Sequence, residues 1–305
     1  MSIRELVVLG TASQVPTRHR NHNGYLLLWD GHGILFDPGE GTQRQMVFGG
    51  VSASQITRIC VTHFHGDHCL GLAGIVQRIS LDRVPQRIPV HFPASGAAYY
   101  QRLRHASIFV DLADLDPRPL DTPGLQDPGP PAITARPLRH SVESWGYRVE
   151  EPPVVRALPD KLAAAGIRGP DIGRLLRGGT LERDGITLRA EAFTERAPGG
   201  SVAFVMDTAP CDGALELAQG VDVLICESTY LNTEQREAHD RGHMTAADAG
   251  KLAQAAGVRR LVLTHFSQRY PSSDPFVAQA AEWYGGSVIA AEDGMRIGCR
   301  FTDAP

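Results

Sequence analysis

Apolar residues in this chain come in short runs closed by glycine, proline or polar residues. LVVLG (6–10), GYLLLW (24–29) and GILFDPG (33–39) are predicted strands of this kind. Between the first two lies ASQVPTRHRNHN, a polar loop too long for a simple hairpin, and long ordered loops tend to be functional. After DPGEGTQRQM a short helix is predicted, then the strand ITRICV. CLGLAGIVQRISL (69–81) has helical apolar spacing. RIPVHF returns to strand and GAAYYQRLRHA to helix. DPRPLDTPGLQDPGPP (116–131) reads as loop, at most an edge hairpin disrupted by proline, and AITARPLRHS as strand.

Over about 150–185 the pattern loosens, with a short helix in DKLAAAG and a Gly-Pro break. Strands and helices then alternate: GSVAFVMD, ALELAQG, VDVLICES, AADAGKLAQAAG, RRLVLTHF, PFVAQAAEWYGG and SVIAAED. Such alternation implies an α/β protein with buried sheets flanked by helices. ICVTHF (59–64) and LVLTHF (261–266) echo each other, each an apolar strand ending in Thr-His-Phe.

Charge changes this picture locally. The 305 residues carry a net charge of −4, which argues against a general nucleic-acid coat protein. Between 152 and 178 the balance reverses, with Arg156, Lys161, Arg168, Arg174 and Arg177 against Asp160 and Asp171. A projecting basic arm is expected there. The cysteine count is odd and no C-x-x-C pair occurs, as expected for reduced thiols in a cytosolic protein. MSIRELVVLG reads as a strand and not as a signal peptide. No apolar stretch is long enough to span a membrane.

The chemistry concentrates in CVTHFHGDHC (60–69), where His63, His65, Asp67 and His68 crowd together behind a strand. Charged imidazoles this close repel, and neutral ones add little to a core, so a metal ion is the group that would gather them. His140, Asp207 and His265 each follow another predicted strand, at the edge where open α/β sheets put their sites. The set suits two ions. His63, His65 and His140 can serve one zinc, Asp67, His68 and His265 a second, and Asp207 has two oxygens with which to bridge them. Manganese or iron would also accept these ligands. Taken alone, Asp67 equally suits an N-cap of the helix that follows, and His243 a helix start. His22, His32, His91, His105 and His239 have no such context, and Cys69 is expected to point into its helix.

The H-x-H-x-D-H segment resembles the metallo-β-lactamase superfamily, which implies a four-layer αββα sandwich with two metals at one edge. Within it the chain is similar to the ribonuclease Z family over nearly its whole length. LGTASQVPTRHRN resembles that family's P-x-K-x-R-N loop through Pro16, Arg18, Arg20 and Asn21. FDPGEGTQRQ, MDTAPCDGALELAQGVDVLICEST and HFSQRY resemble further motifs, and GIRGPDIGRLLRGG resembles its tRNA-clasping arm. Arg18 stands where lysine is usual, Cys226 where the family has histidine, and Met244 where it has serine.

The resemblance implies one metallo-β-lactamase-like hydrolase domain over 1–305, with an arm inserted at about 150–185. It implies a cytoplasmic, homodimeric, zinc-dependent endoribonuclease that removes the 3′ trailer from precursor tRNA. Asp67 would handle the nucleophile's proton, and His243, oriented by Glu227, would protonate the leaving oxygen. Arg18, Arg20 and Asn21 would grip RNA near the cut, and Arg168, Gly169, Pro170, Arg174 and Arg177 the tRNA body. The alternatives are a small-molecule metallohydrolase (cyclic-nucleotide phosphodiesterase, arylsulfatase or lactonase) and a non-catalytic metalloprotein or RNA-binding module. The basic arm speaks against the first, and the complete ligand set against the second.

Overall fold

A computed structural model describes residues 3–183 and 185–299. They fall into two compact units, one of residues up to 150 with those from 200 onward, the other of 151–199. In chain order the first unit begins with strands β1 (Arg4–Gly10), β2 (Gly24–Trp29) and β3 (His32–Phe36) and helix α1 (Thr42–Phe48). Strand β4 (Arg58–Cys60), helices α2 (Gly66–Cys69) and α3 (Leu72–Leu81), strand β5 (Ile88–Pro93) and helix α4 (Ala97–Arg104) follow. Next come β6 (Leu115–Leu120), β7 (Gly124–Asp127), β8 (Ala132–Leu138) and β9 (Ser144–Glu150).

The second unit holds β10 (Val154–Ala157), α5 (Pro159–Ala164), α6 (Pro170–Gly178), β11 (Thr180–Arg183), β12 (Ile186–Arg189) and β13 (Thr194–Ala197). The chain then returns to the first unit with β14 (Ser201–Val205), α7 (Asp212–Ala218), β15 (Val223–Glu227), α8 (Gln235–Asp240) and α9 (Ala246–Ala256). It closes with β16 (Arg260–Thr264), α10 (Asp274–Ala281), β17 (Ser287–Ala290) and β18 (Arg296–Gly298).

Two seven-stranded sheets organise the first unit, ordered β18-β1-β2-β3-β4-β5-β6 and β17-β16-β15-β14-β9-β8-β7. Their central strands, among them β1, β2, β14, β15 and β16, are buried on both faces, which is why they read as continuous apolar runs. In β1, Leu6 and Val8 enter the core between the sheets, while Val7 and Leu9 face the helical side. Phe36 and Phe204 stack across the sheets at 4.5 Å, with Tyr25 edge-on to Phe204 at 5.2 Å. Outside the first sheet α3 supplies Leu72, Ile75, Val76 and Ile79. Outside the second, Ala214, Leu217, Ala249, Ala253 and Phe276 come from α7, α9 and α10. Helix, sheet, sheet and helix thus form the αββα sandwich.

Two expectations need correcting, and one strand lies where the sequence pattern assigned none. The stretch 116–131 is not a loop: β6 closes one edge of the first sheet and β7 one edge of the second. An edge strand tolerates Pro117 and Pro119 because half of its backbone groups need no partner. The helix expected over 69–81 breaks at Leu70–Gly71, between α2 and α3. Gly71 lies so close to the Asp37–Gly39 turn that a Cβ there would stand 2.0 Å from the Gly39 carbonyl oxygen. SWGYRVE is also a central strand, β9, pairing with both β8 and β14.

In the second unit the small core is Leu162, Ile167, Leu175 and Phe193. The segment expected as an arm falls here, and the unit runs on to 199 because β13 pairs with β10. The Gly-Pro pair starts α6 instead of breaking the chain. Gly169 takes φ +55°, and Pro170 occupies the first helical turn, where its missing N–H costs nothing. Among the described residues no helix is long and apolar enough to cross a membrane.

Candidate metal centre

Five strand ends meet at one edge of the sandwich. His63 follows β4, His140 follows β8, Asp207 follows β14 and His265 follows β16, while Asp37 follows β3. His65, Asp67 and His68 come from the turn into α2, which His65 caps, so Asp67 lies inside that helix and is not its cap. Asp37, Asp207 and His265 take φ of +41°, +22° and +64°. Side chains other than glycine rarely adopt such angles, and they persist where surrounding structure holds them in place for function.

Two clusters result, with a third, overlapping grouping of Asp207, His243 and His265. Ligand atoms of His63, His65, His140 and Asp207 lie within 4.8 Å of one another, and so do those of Asp67, His68 and His265. In the first, His65 Nδ1 is 3.0 Å from His63 Nε2 and 3.2 Å from His140 Nε2. In the second, His68 Nε2 is 3.3 Å from His265 Nε2 and 3.4 Å from Asp67 Oδ2. Asp207 joins them: its Oδ2 is 3.6 Å from His63 Nε2, and its Oδ1 is 3.3 Å from His68 Nε2 and 3.1 Å from His265 Nε2.

The other ring nitrogens decide what faces the centre. Thr62 Oγ1 donates to Asp37 Oδ2 at 2.8 Å, so at 3.0 Å it accepts from His63 Nδ1. His68 Nδ1 donates to Asp37 Oδ2 at 2.8 Å, and His140 Nδ1 to the Gly242 carbonyl at 2.9 Å. Thr229 Oγ1 donates to Glu227 Oε2 at 2.6 Å and accepts from His265 Nδ1 at 2.7 Å. In its neutral form each of these rings therefore turns an unprotonated Nε2 inward. Lone pair faces lone pair across about 3 Å, and the buried Asp207 Oδ1 finds no hydrogen-bond donor at all. A cation between these atoms resolves every one of those conflicts, so the residues fit divalent metal.

Electrostatics agree. Burial, reinforced by His68 and His140, holds His63 well below the usual imidazole range. Burial opposes a charge on His68, but without a cation Asp207, Asp67 and Asp37 outweigh it and hold that ring well above the usual imidazole range. Its charge and hydrogen bonds from His265 and His68 then outweigh burial at Asp67 and keep that carboxyl ionised. A cavity of about 460 Å³ opens over the centre, lined by His65, Asp67, His140, Asp207, His243 and His265 among others. At its wall His243 Nδ1 meets Glu227 Oε1 at 3.0 Å, and Thr208 N fixes that oxygen at 2.7 Å. Burial disfavours a charged His243, yet Glu227 and Asp207 outweigh it and push the imidazole up to about 9.

The profile of the Metallo-beta-lactamase superfamily matches residues 17–169, and that of the Beta-lactamase superfamily domain residues 185–266. The chain is 57% identical to a ribonuclease Z of Nocardia farcinica over 97% of its length and 98% of the relative's. It is 55% identical to one of Salinispora arenicola, over 98% and 97%. The chain belongs to the ribonuclease Z family. Human tRNase Z, short form, shares the fold with a TM-score of 0.69 at 24% identity, over 97% of this chain and 100% of that one. The edge where the two clusters meet is thus a metal-binding site of a ribonuclease Z family member.

The remaining family motifs lie in three places. Arg18 and Arg20 line a second cavity of about 650 Å³, which shares Gln268 with the first. Asn21 ties its loop to the turn before α1, donating through Nδ2 to the Glu40 carbonyl at 2.8 Å. Arg168, Gly169, Pro170, Arg174 and Arg177 are exposed in the second unit, with Arg174 paired to Asp171. His22 and His91 are buried outside both clusters, and His239 is held by Asp248 at 2.8 Å.

Asp37 and Thr229 have structural parts that the motif reading did not assign. Both fix imidazoles that face the centre, and Asp37 sits, like the ligands, at a strand end. Asp37→Asn should lower metal affinity by about 10- to 100-fold, the usual effect of removing a carboxylate behind a histidine ligand. Titration with a metal-sensitive dye checks this, and unchanged affinity would argue that His68 needs no such anchor.

Proposed function

We propose that the chain is a metal-dependent endoribonuclease that removes the 3′ trailer from precursor tRNA, leaving a 3′-hydroxyl on the tRNA and a 5′-phosphate on the trailer. One observation carries the reading: two linked His/Asp clusters open onto a cavity beside a His–Glu pair, in a chain more than half identical to proteins named ribonuclease Z. Two zinc ions held by the seven clustered side chains would lower the pKa of water and offset charge building on the phosphoryl oxygens. Asp67, ionised at the cavity wall, takes the nucleophile's proton. His243 gives a proton to the leaving 3′-oxygen, and Glu227 keeps its ring aimed. Arg18 and Arg20 contact phosphates near the cut, on a loop that Asn21 holds in shape. The second unit is read as the arm of a single hydrolase domain, and its exposed Arg168, Arg174 and Arg177, set around Gly169-Pro170, hold the tRNA backbone by shape and charge. Five free thiols support a reducing, cytoplasmic setting.

The test is incubation with a 3′-extended tRNA precursor, with and without chelator, followed by analysis of the new ends. One cut at the base of the acceptor stem, abolished by chelator and restored by zinc, is expected. A trailer bearing a 5′-hydroxyl, or turnover limited to bis-p-nitrophenyl phosphate, would overturn the reading.

A homodimer belongs to the same proposal. Leu81, Tyr99, Ile108, Val110 and Leu112 are exposed apolar residues on and beside α3 and α4. The loop bearing three of them is tied to α3 by Gln77 Nε2→Ser107 Oγ at 2.7 Å and Leu112 N→Ser80 Oγ at 3.2 Å. This face supports burial against a second copy. Sedimentation should give a dimer that Ile108→Glu with Val110→Glu dissociates; a monomeric wild type would refute it.

A further inference from the structure

We propose that Cys226 and Met244 form a buried sulfur pair that positions the His243–Glu227 proton donor, an inference that rests on reading His243 as the acid. Cys226 immediately precedes Glu227 at the end of β15, and Met244 immediately follows His243. Both are buried, at 0% and 1% exposure, and the Cys226 thiol meets the Met244 sulfur at 3.9 Å. They share the apolar layer between the second sheet and α9 with Val205, Leu263, Ala246 and Ala249.

Adjacent residues of a strand point to opposite faces, so Cys226 reaches toward the helices while Glu227 reaches the site. The acid and its orienting carboxylate are therefore each one residue from a side chain that touches the other's neighbour. Backbone bonds hold the His243 loop on both sides: His243 N donates to Ala238 O at 2.8 Å, Tyr230 N reaches Met244 O at 3.4 Å and Ala246 N donates to Tyr230 O at 3.0 Å. The Met244 side chain adds the packing of the loop against β15. An unbranched, polarisable thioether is suited to filling the irregular gap beside a small thiol. The contact ties the strand end that carries Glu227 to the loop that carries His243, and so sets the 3.0 Å His243–Glu227 bond.

The experiment measures the metal-loaded full-length variants Met244→Ala, Cys226→Ala, Met244→Leu and His243→Ala on two substrates. Precursor tRNA has a leaving group that needs a proton; bis-p-nitrophenyl phosphate has one that does not. Met244→Ala should lose about 10- to 100-fold in kcat on tRNA, with KM unchanged, because a misplacement near 1 Å can cost that much. Its rate on the activated ester should stay within about twofold, and Met244→Leu, which conserves volume, should keep most of both rates. Cys226→Ala should show the same leaving-group dependence more weakly, and it carries the test if Met244→Ala does not fold. Adding His243→Ala to Met244→Ala should cost less than it does alone, since neighbours acting through one group are not additive. Wild-type rates for Met244→Ala and Cys226→Ala beside a defective His243→Ala would overturn the pair and leave the acid standing. Equal losses on both substrates would reduce the pair to general stability. A fully active His243→Ala would remove the acid and the inference together.

Discussion

Asp207→Ala is expected to lower kcat on 3′-extended precursor tRNA by roughly 10³-fold and to strip metal from the protein. Asp207 is the carboxylate shared by both halves of the centre, with Oδ2 3.6 Å from His63 Nε2 and Oδ1 3.1 Å from His265 Nε2. It is buried and held at φ +22°, so no neighbour can swing in to replace it. Lewis-acid stabilisation by bound metal is worth several kcal/mol and each 1.36 kcal/mol is tenfold, so losing about 4 kcal/mol gives that fall. Asp207→Asn keeps the shape but halves the coordinating chemistry, and should lie between alanine and wild type. Metal content by atomic emission, measured beside kcat, checks both variants. An alanine variant that retains its metal and its rate would show that Asp207 bridges nothing.

The contrast between Asp207 and Asp37 shows what could be read from the sequence. His63, His65, Asp67 and His68 were legible because their spacing is local. His140, Asp207 and His265 were legible because each follows an apolar strand whose C-terminal end is a known place for sites. Asp37 also follows a strand, but its part is to hold His68 from behind. Nothing along the chain says which imidazole a carboxylate will face until β3 and β4 lie side by side. Thr229 is harder still, since a threonine beside Glu227 carries no marking; its hydroxyl matters because His265 and Glu227 reach it from different strands. The positive φ at Asp37, Asp207 and His265 was equally hidden, because that backbone region favours glycine and the sequence offers none there.

The fold was legible where burial is two-sided. β1, β2, β15 and β16 read as apolar runs because water reaches neither face. β6 did not, because Pro117 and Pro119 mimic loop composition and only its position at a sheet edge makes them acceptable; β7 is four residues of GLQD with no buried apolar face. In the second unit the strands are four residues long and mostly exposed. A small core leaves a weak pattern, so only its charge stood out.

His243→Ala should cut kcat on precursor tRNA by about 10²- to 10⁴-fold, the usual range for removing a general acid. KM should change little, since a proton donor acts on the leaving oxygen as the bond breaks and not on the bound ground state. The bond to Glu227 favours this task for His243, whose ring also lies within ligand distance of Asp207 and His265. Its Nδ1 is bound to Glu227 Oε1 at 3.0 Å, whereas the rings facing the centre hold neutral threonine or carbonyl oxygens or, at His68, a carboxylate already shared with Thr62. Glu227 is itself fixed by Thr208 N at 2.7 Å and Thr229 Oγ1 at 2.6 Å, so it cannot turn away to solvate elsewhere. A buried carboxylate bonded to the ring favours the imidazolium, which is the form that can donate. Loss of His243 should therefore hurt an alkoxide leaving group far more than a p-nitrophenolate, and the ratio of the two rates is the measurement. Glu227→Gln should reproduce the tRNA defect in weaker form while leaving metal content intact. If His243→Ala instead lost metal and slowed both substrates alike, His243 would be acting as a ligand to the ion that Asp207 and His265 share.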